Sequence, residues 1–136
     1  MFVDASAIVA ILTNEPEADA LTDRLEHAIR PIASAIAIFE ATLGLCRKTH
    51  VTVAEAEADI AEFMAQARIT LVPIAAPEAA LALRAFDRYG KGRSHPAQLN
   101  MGDCFAYAVA SNHRTSLLYK GNDFSQTDMK DGWTGP

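Results

Sequence analysis

Apolar positions along the chain follow two patterns, short continuous runs and longer stretches with helical spacing. The short runs are residues 1–3, 31–33, 70–74 and 116–119, and they predict buried β-strands. Between them, apolar residues recur every three or four positions, which predicts helices. Alternating strands and helices are typical of an α/β domain in which a parallel sheet is covered by helices on both faces.

Residues that favour helix ends mark the limits of several predicted helices. Pro16 predicts the first position of one helix, because its fixed backbone angle suits that place. Thr52 and Glu55 have the spacing of a capping box, which marks another helix start. A further helix is predicted to begin at Pro77 and to end at Gly90.

Apolar side chains at helical spacing predict which helix faces pack against the sheet. In the helix predicted over residues 34–49 the expected apolar stripe is Ile36, Phe39, Leu43 and Cys46. In the helix that begins at Pro77 the expected apolar residues are Leu81, Leu83 and Phe86. Asn100 can cap the last helix, which is apolar nearly all round and is therefore expected to be buried. Pro73 predicts either an edge position for the third strand or the end of that strand.

The length and composition predict one globular domain over residues 1–136. The chain has 12 Lys and Arg against 17 Asp and Glu, which gives a net charge of −5. This balance argues against nucleic-acid binding through bulk positive charge, so such binding would depend on a local basic patch or on metal ions held by acids.

Neither a signal peptide nor a membrane span is expected. The N-terminal segment has no basic residues before its apolar start, and no apolar run reaches the roughly 18 residues that a spanning helix needs. We therefore expect a cytoplasmic protein without membrane association. Cys46 and Cys104 lie in apolar stretches without metal-ligand spacing, so we expect reduced thiols.

Four carboxylates lie at or within apolar segments. Asp4 follows the first strand, and Asp123 lies in the loop after the last one. Asp103 lies in the first turn of an apolar helix, and Glu40 is the only charged residue from position 33 to position 46. Because the carboxyl ends of parallel strands meet at one edge, the four acids can converge there. Helix capping by Asp4 and Asp103 and solvent exposure of Glu40 remain the ordinary alternatives.

Convergence of these acids would restrict the chemistry of the site. Two carboxylates about 4 Å apart repel by roughly 4 kcal/mol at an effective dielectric constant near 20, so a cluster must take up protons or bind a cation. A set of oxygen ligands without Cys or His suits Mg²⁺ or Mn²⁺ better than zinc. One or two such ions would fit hydrolysis of a phosphate ester.

One concentration of basic residues lies at the end of the helix that begins at Pro77 and in the loop beyond it. Its members lie within a dozen positions and are Arg84, Arg88, Lys91, Arg93 and His95. They can form an ordinary solvated loop, or a rim that guides phosphate groups into the site. For the second role we select Arg88, Lys91, Arg93 and His95 as candidate residues for binding a phosphate backbone.

Several segments together resemble the PIN-domain ribonuclease toxins of the VapC family. They are residues 3–7 (VDASA), the helix around Glu40, the loop 89–100, residues 102–105 (GDCF) and residues 120–124 (KGNDF). The resemblance implies a PIN fold, with a central parallel sheet of four or five strands flanked by helices on both faces. It also implies a homodimeric, Mg²⁺- or Mn²⁺-dependent endoribonuclease that cuts structured RNA such as tRNA or rRNA. A cognate VapB-type antitoxin would block the site.

Carried over by position, the resemblance implies that Asp4, Glu40 and Asp103 are metal ligands and catalytic acids. Ser6 would support the ligands by hydrogen bonding. A receiver-type signalling domain is a rival interpretation, but it needs paired acids after the first strand, where this chain has Ala5 and Ser6. A haloacid-dehalogenase-like phosphatase would need an aspartate at position 6.

The fourth acid of the resemblance is open. Many PIN domains have an aspartate at the place that Gly121 occupies here. Asp123 can replace it as a catalytic acid with support from Asn122, or the site can function with three acids. The missing acid also leaves a second interpretation, a catalytically weak PIN-like module that binds RNA or a partner protein.

Overall fold

The structure, a computed structural model, describes residues 1–129. The strands are β1 Phe2–Val3, β2 Ile32–Ala33, β3 Thr70–Leu71 and β4 Leu117–Leu118. The helices are α1 Ala5–Leu12, α2 Ala18–Glu26, α3 Ala35–Thr49, α4 Val53–Gln66, α5 Ala76–Tyr89 and α6 Met101–Asn112. A 3₁₀ turn, Phe124–Gln126, follows β4. None of the helices in residues 1–129 has both the length and the apolar character needed to cross a membrane.

The described strands form one parallel sheet with the order β3-β2-β1-β4. Phe2 in β1 pairs with Ile32 on one side and with Leu117 on the other. The sheet confirms the parallel arrangement predicted from the alternation of elements, and it places β3 at the edge, as Pro73 predicted. The carboxyl ends of β1 and β4 therefore lie side by side, and the backbone N–H of Asp4 donates to the carbonyl of Leu118 at 2.9 Å.

Each two-residue strand sends one side chain to each face of the sheet, because successive residues of a strand point in opposite directions. Phe2 and Leu117 join the core under α5 and α6, whereas Val3 and Leu118 join the core under α1 to α4. Helices thus cover both faces, which confirms the predicted fold class.

Side-chain caps begin several helices where the sequence predicted. The side chain of Ser34 accepts a hydrogen bond from the N–H of Ala37 at 3.3 Å, and Thr52 forms a reciprocal capping box with Glu55. The prediction of a helix start at Pro16 was wrong, because α2 begins two residues later at Ala18.

The predicted apolar stripe on α3 was wrong in part. Phe39 is 65% exposed and Leu43 is 47% exposed, although both were expected to face the core. The buried face consists instead of Ala37, Ala41, Thr42, Gly44 and Leu45. Small residues allow α3 to approach α1 closely, and a Cβ added to Gly44 would lie 2.8 Å from Cγ2 of Val9.

The apolar face predicted for α5 was also wrong in part. Leu83 and Phe86 are exposed, whereas Leu81 is partly buried against the core. The buried face of α5 consists of Glu78, Ala82, Ala85 and Tyr89. The reason is the same, because α5 packs closely on the alanine-rich α6 through its own alanines.

Candidate active site

A cleft of about 500 Å³ opens where the carboxyl ends of β1 and β4 meet α3 and α6. Asp4, Glu40 and Asp103 all line it, so three of the four predicted acids share one cavity. Lys48, Lys120 and Glu15 contribute further charge to its walls. The three acids come from segments far apart in the chain, and the fold brings them together as the strand-end argument predicted.

A larger cleft, of about 800 Å³, lies at the opposite ends of the same strands. The residues that line it include Arg24, Arg30 and Arg114, with Asp23 as their single carboxylate. This cavity lacks the cluster of oxygen ligands that phosphate-ester hydrolysis with a divalent ion requires. The smaller cleft is therefore the better candidate.

Asp4 is buried and performs two tasks at the start of α1. Its Oδ2 accepts hydrogen bonds from the backbone N–H of Ser6 at 3.0 Å and from the Ser6 hydroxyl at 2.6 Å, so Asp4 caps the helix while lining the cleft. The Ser6 hydroxyl in turn accepts from the N–H of Lys120 at 3.0 Å. Burial raises the pKa of Asp4, and the hydrogen bonds from Ser6 oppose that rise.

Asp103 is held by the first turn of α6. The N–H of Asn100 donates to Oδ2 of Asp103 at 3.0 Å, and the N–H of Asp103 donates to Oδ1 of Asn100 at 2.9 Å. The reciprocal pair orients the carboxylate at the positive end of the helix. Burial and the charges of Asp4 and Asp123 nevertheless raise the pKa of Asp103 to about 6, against the effect of the Asn100 hydrogen bond.

Glu40 projects from α3 and is half-buried. Within residues 1–129 its carboxylate has neither a hydrogen bond nor an ion pair, and it lies against Gly102 at the start of α6. Burial, together with the charges of Asp4 and Asp103, raises the pKa of Glu40 from 4.5 to about 7. A half-buried carboxylate without a partner is a group that a cation would stabilise.

The donor atoms of the cleft are of the type that binds a divalent metal ion. As the side chains stand, no three His, Cys, Asp or Glu residues among positions 1–129 are close enough together to bind a metal ion. The three carboxylates that line the cleft are all-oxygen donors, and the charge of Asp4 contributes to the raised pKa values of both Glu40 and Asp103. Like charges separate unless a cation draws them together, so this donor set suits Mg²⁺ or Mn²⁺.

Asp123, the predicted fourth acid, is exposed and lies outside the cleft lining. It is close enough for its charge to raise the pKa values of both Asp4 and Asp103. Asn122 is also exposed, and its backbone carbonyl accepts a hydrogen bond from the Ser125 hydroxyl at 2.6 Å. Gly121 has a φ of +107°, a conformation that an aspartate would adopt only with strain.

The predicted basic rim does not line the cleft, and two of its members are paired. Arg93 bonds to Asp87 at 2.6 Å, and Arg88 lies 3.6 Å from Asp128. The ring of His95 packs edge-on against Tyr89, with centroids 4.9 Å apart.

Lys91 is also absent from the cleft lining, but its backbone contacts the segment before α6. Its N–H donates to the carbonyl of Leu99 at 2.8 Å, which brings it beside the segment that leads into Asp103.

Sequence reasoning missed four charged residues of the cleft, Glu15, Lys120 and the neighbours Arg47 and Lys48. Lys120 follows β4 as Asp4 follows β1, so the strand-end argument could have found it. Glu15 and Lys48 lie in a turn and near a helix end, with no pattern that connects them before the chain folds.

Comparison with known proteins gives the context of this geometry. A family model described as the PIN domain matches residues 1–130. A VapC ribonuclease of Rhizobium meliloti is 41% identical over 94% of this chain and 98% of its own length. Ribonuclease VapC28 of Mycobacterium tuberculosis is 38% identical over 96% of each chain.

A solved structure is similar to the whole fold. It is Mycobacterium tuberculosis VapC20, described as a sarcin-ricin loop cleaving toxin, with a TM-score of 0.71 over 94% of this chain and 95% of that one. The two sequences are 16% identical, so this likeness supports the fold.

Proposed function

The chain belongs to the PIN-domain family as a VapC-type ribonuclease, and on that basis we propose that it is a toxic endoribonuclease that depends on Mg²⁺ or Mn²⁺. The observation that carries the proposal is the meeting of Asp4, Glu40 and Asp103 in one cleft. The raised pKa values of Glu40 and Asp103 support it, because burial and the neighbouring carboxylates disfavour the ionised forms that a cation would stabilise.

Two of the three proposed ligands are oriented by a hydrogen-bonding neighbour. Ser6 orients the carboxylate of Asp4, and Asn100 orients that of Asp103. Glu40 has no such tether and can adjust its position. A bound divalent ion would supply a water of lowered pKa for attack on the phosphodiester and would stabilise charge on the leaving oxygen. Asp123, with Asn122 beside it, would add negative charge at the edge of the cleft and bind a second ion weakly.

The substrate and partners follow from the family and belong to the same proposal. We expect structured RNA such as tRNA or rRNA as substrate, in the cytoplasm, and a cognate VapB-type antitoxin that covers the cleft. We also propose a single domain over residues 1–136 and a homodimer. The exposed apolar side chains of Phe39, Leu43, Leu83 and Phe86 support a protein partner, because such surfaces are often covered.

One observation favours a second candidate, a catalytically weak PIN-like module that binds RNA or a partner protein. Gly121 stands where many PIN domains have their fourth acid, and its backbone conformation disfavours an acid there. A site with three acids would bind a second metal ion poorly. The two candidates differ in whether RNA is cut.

Cleavage of RNA by the purified protein, with Mg²⁺, Mn²⁺ or EDTA, tests the proposal. We expect cleavage with either ion and none with EDTA. Asp103→Asn should reduce the rate by at least about a hundredfold. It should leave the thermal stability near that of the wild type, because asparagine can still accept the Asn100 hydrogen bond.

Asp59→Asn is the matched control, since Asp59 is an exposed acid on α4 outside the cleft. This variant should cut at the wild-type rate. Cleavage that survives EDTA, or full activity of Asp103→Asn, would overturn the metal-dependent assignment. Binding of RNA without cleavage under every condition would replace it with the binding module.

A further inference from the structure

Two lysines and one glutamate form a connected group on the wall of the candidate active site. Glu15 pairs through Oε1 with Nζ of Lys48 and through Oε2 with Nζ of Lys120, the latter at 2.5 Å. All three residues line the cleft that holds Asp4, and they lie in or beside three different elements. We infer that Lys48 and Lys120 bind phosphates of the RNA backbone and that Glu15 positions both. This inference depends on the proposed ribonuclease function.

The exposure of the three side chains favours this division of roles. The Glu15 side chain is 13% exposed, whereas those of Lys48 and Lys120 are 42% and 35% exposed. The carboxylate is therefore sheltered, and both ammonium groups remain within reach of a ligand in the cleft. Glu17 also approaches Lys120 at 3.5 Å, so the two lysines balance the two glutamates, and Arg47 on the cleft lining adds one positive charge.

A chain of hydrogen bonds connects this group to the proposed metal ligands. The backbone N–H of Lys120 donates to the hydroxyl of Ser6, which itself donates to Oδ2 of Asp4 at 2.6 Å. Lys120 is thus tied to Asp4 by its backbone and to Glu15 by its side chain. The position of its ammonium group relative to the carboxylates is set by these two attachments.

The charge of the cleft explains why such lysines are needed. A phosphodiester that enters a space lined by Asp4, Glu40 and Asp103 meets strong repulsion, and positive side chains at the wall would offset part of it. Lysine presents a compact charge that commonly binds phosphate. The alternative is that Glu15 only ties the turn before α2 to α3 and β4. Ion pairs of this kind often add little stability, so structural need alone explains them poorly.

Lysine substitutions test the phosphate contacts. Cleavage of a labelled RNA hairpin is measured over a range of salt concentrations for Lys48→Met, Lys120→Met, the double variant and Lys120→Arg. We expect KM to rise more than kcat falls, and the salt dependence of the double variant to flatten by about 1 to 2 in log–log slope. Lys120→Arg keeps the charge and should restore most of the loss.

Arg68→Gln is the control for net charge, because Arg68 is exposed and lies at the opposite end of the sheet, just before β3. It should leave KM and the slope unchanged. If the wild type cuts the hairpin but the double variant has the same KM and slope, the inference fails and the ribonuclease function stands. If the wild type does not cut, the function fails, and binding of the hairpin by the same variants still tests the lysines.

Glu15→Gln separates positioning from charge. Removal of a negative charge alone would lower KM, whereas loss of positioning would raise KM as the lysine substitutions do. We expect KM to rise about tenfold, equivalent to about 1.4 kcal/mol, with a smaller fall in kcat. Mn²⁺ affinity, measured by calorimetry, should be unchanged because Glu15 is not a proposed ligand. A variant that loses thermal stability but keeps the wild-type KM would overturn the positioning role.

Discussion

The carboxylate of Glu40 lies against the backbone of Gly102, so that a Cβ at position 102 would overlap Oε2 of Glu40. This contact joins α3 to the first turn of α6, one residue before Asp103. A glycine at this place leaves room for the carboxylate beside the other acids. The role of Gly102 is therefore to leave space for the Glu40 carboxylate, since within a helix most other residues are more stabilising than glycine.

Gly102→Ala should separate activity from stability. The added methyl group meets the end of a flexible side chain, so Glu40 can turn aside, and alanine favours the helix. We expect the free energy of unfolding to stay within about 1 kcal/mol of the wild type. Displacement of the carboxylate by about 1 Å should reduce cleavage by up to about a hundredfold. Urea unfolding and RNA cleavage assays measure the two effects.

The Glu40→Gln background provides the control for this prediction. If Gly102 acts only by leaving room for the carboxylate, then Gly102→Ala adds little to the activity loss of Glu40→Gln. Fully additive losses in the double variant would contradict this explanation.

The raised pKa values predict how stability depends on pH in the absence of divalent ions. Glu40 has a pKa of about 7 in the folded protein against 4.5 when unperturbed, and Asp103 has about 6 against 3.8. The folded state thus binds more protons than the unfolded state across these windows, so the free energy of unfolding falls as pH rises from about 4 to about 7.

Urea unfolding in EDTA at several pH values within that window measures this fall. Glu40→Gln should flatten the curve at its upper end, because the amide does not titrate. Mg²⁺ or Mn²⁺ should restore stability at the upper end, since binding requires ionised carboxylates. A Glu40→Gln curve that follows the wild type would show that Glu40 is not the titrating group.

The basic loop predicts unequal effects for two neighbouring cations. Arg93 is already paired with Asp87 at 2.6 Å, whereas Lys91 has no carboxylate partner among residues 1–129 and lies beside the segment that enters α6. Lys91→Met should weaken RNA binding and flatten its salt dependence by about 1 in log–log slope, and Arg93→Met should do less. Metal affinity should be unchanged in both. Equal or absent effects would remove Lys91 from the RNA-binding surface.

Asp123→Ala should cause only a partial loss of cleavage, up to about tenfold. Its charge raises the pKa values of Asp4 and Asp103 from outside the cleft lining, so its removal should also lower the pH at which cleavage begins to rise. Rate–pH profiles of the variant and the wild type measure both effects. A loss as complete as that of Asp103→Asn would identify Asp123 as a full fourth ligand.

The features that could be predicted from the sequence are those set by neighbours in the chain. Asp4 ends a short apolar run, Asn100 starts an apolar helix, and Thr52 with Glu55 forms a capping box as their spacing indicates. Such signals depend on local backbone geometry. The structure agrees with them because, at these positions, tertiary contacts do not override the local backbone preference.

Features that depend on packing between distant segments could not be predicted. Phe39 has the spacing of a core residue but is exposed, because α3 turns its alanines and Gly44 toward α1. Close approach of helices favours small residues, and their low hydrophobicity hides the buried face from a search for large apolar side chains. The pairs of Glu15 with Lys48 and Lys120 are likewise visible only after folding.

The strands of this sheet are only two residues long, so the register in which they pair also fixes the geometry of the site. A slip of one residue between β1 and β4 would exchange Phe2 and Val3 between the two faces and would carry Asp4 away from Lys120. A misregistered molecule would lose both cores together with its acidic cleft. A molecule that assembles its site wrongly therefore also fails to fold, so an inactive but stable form does not accumulate.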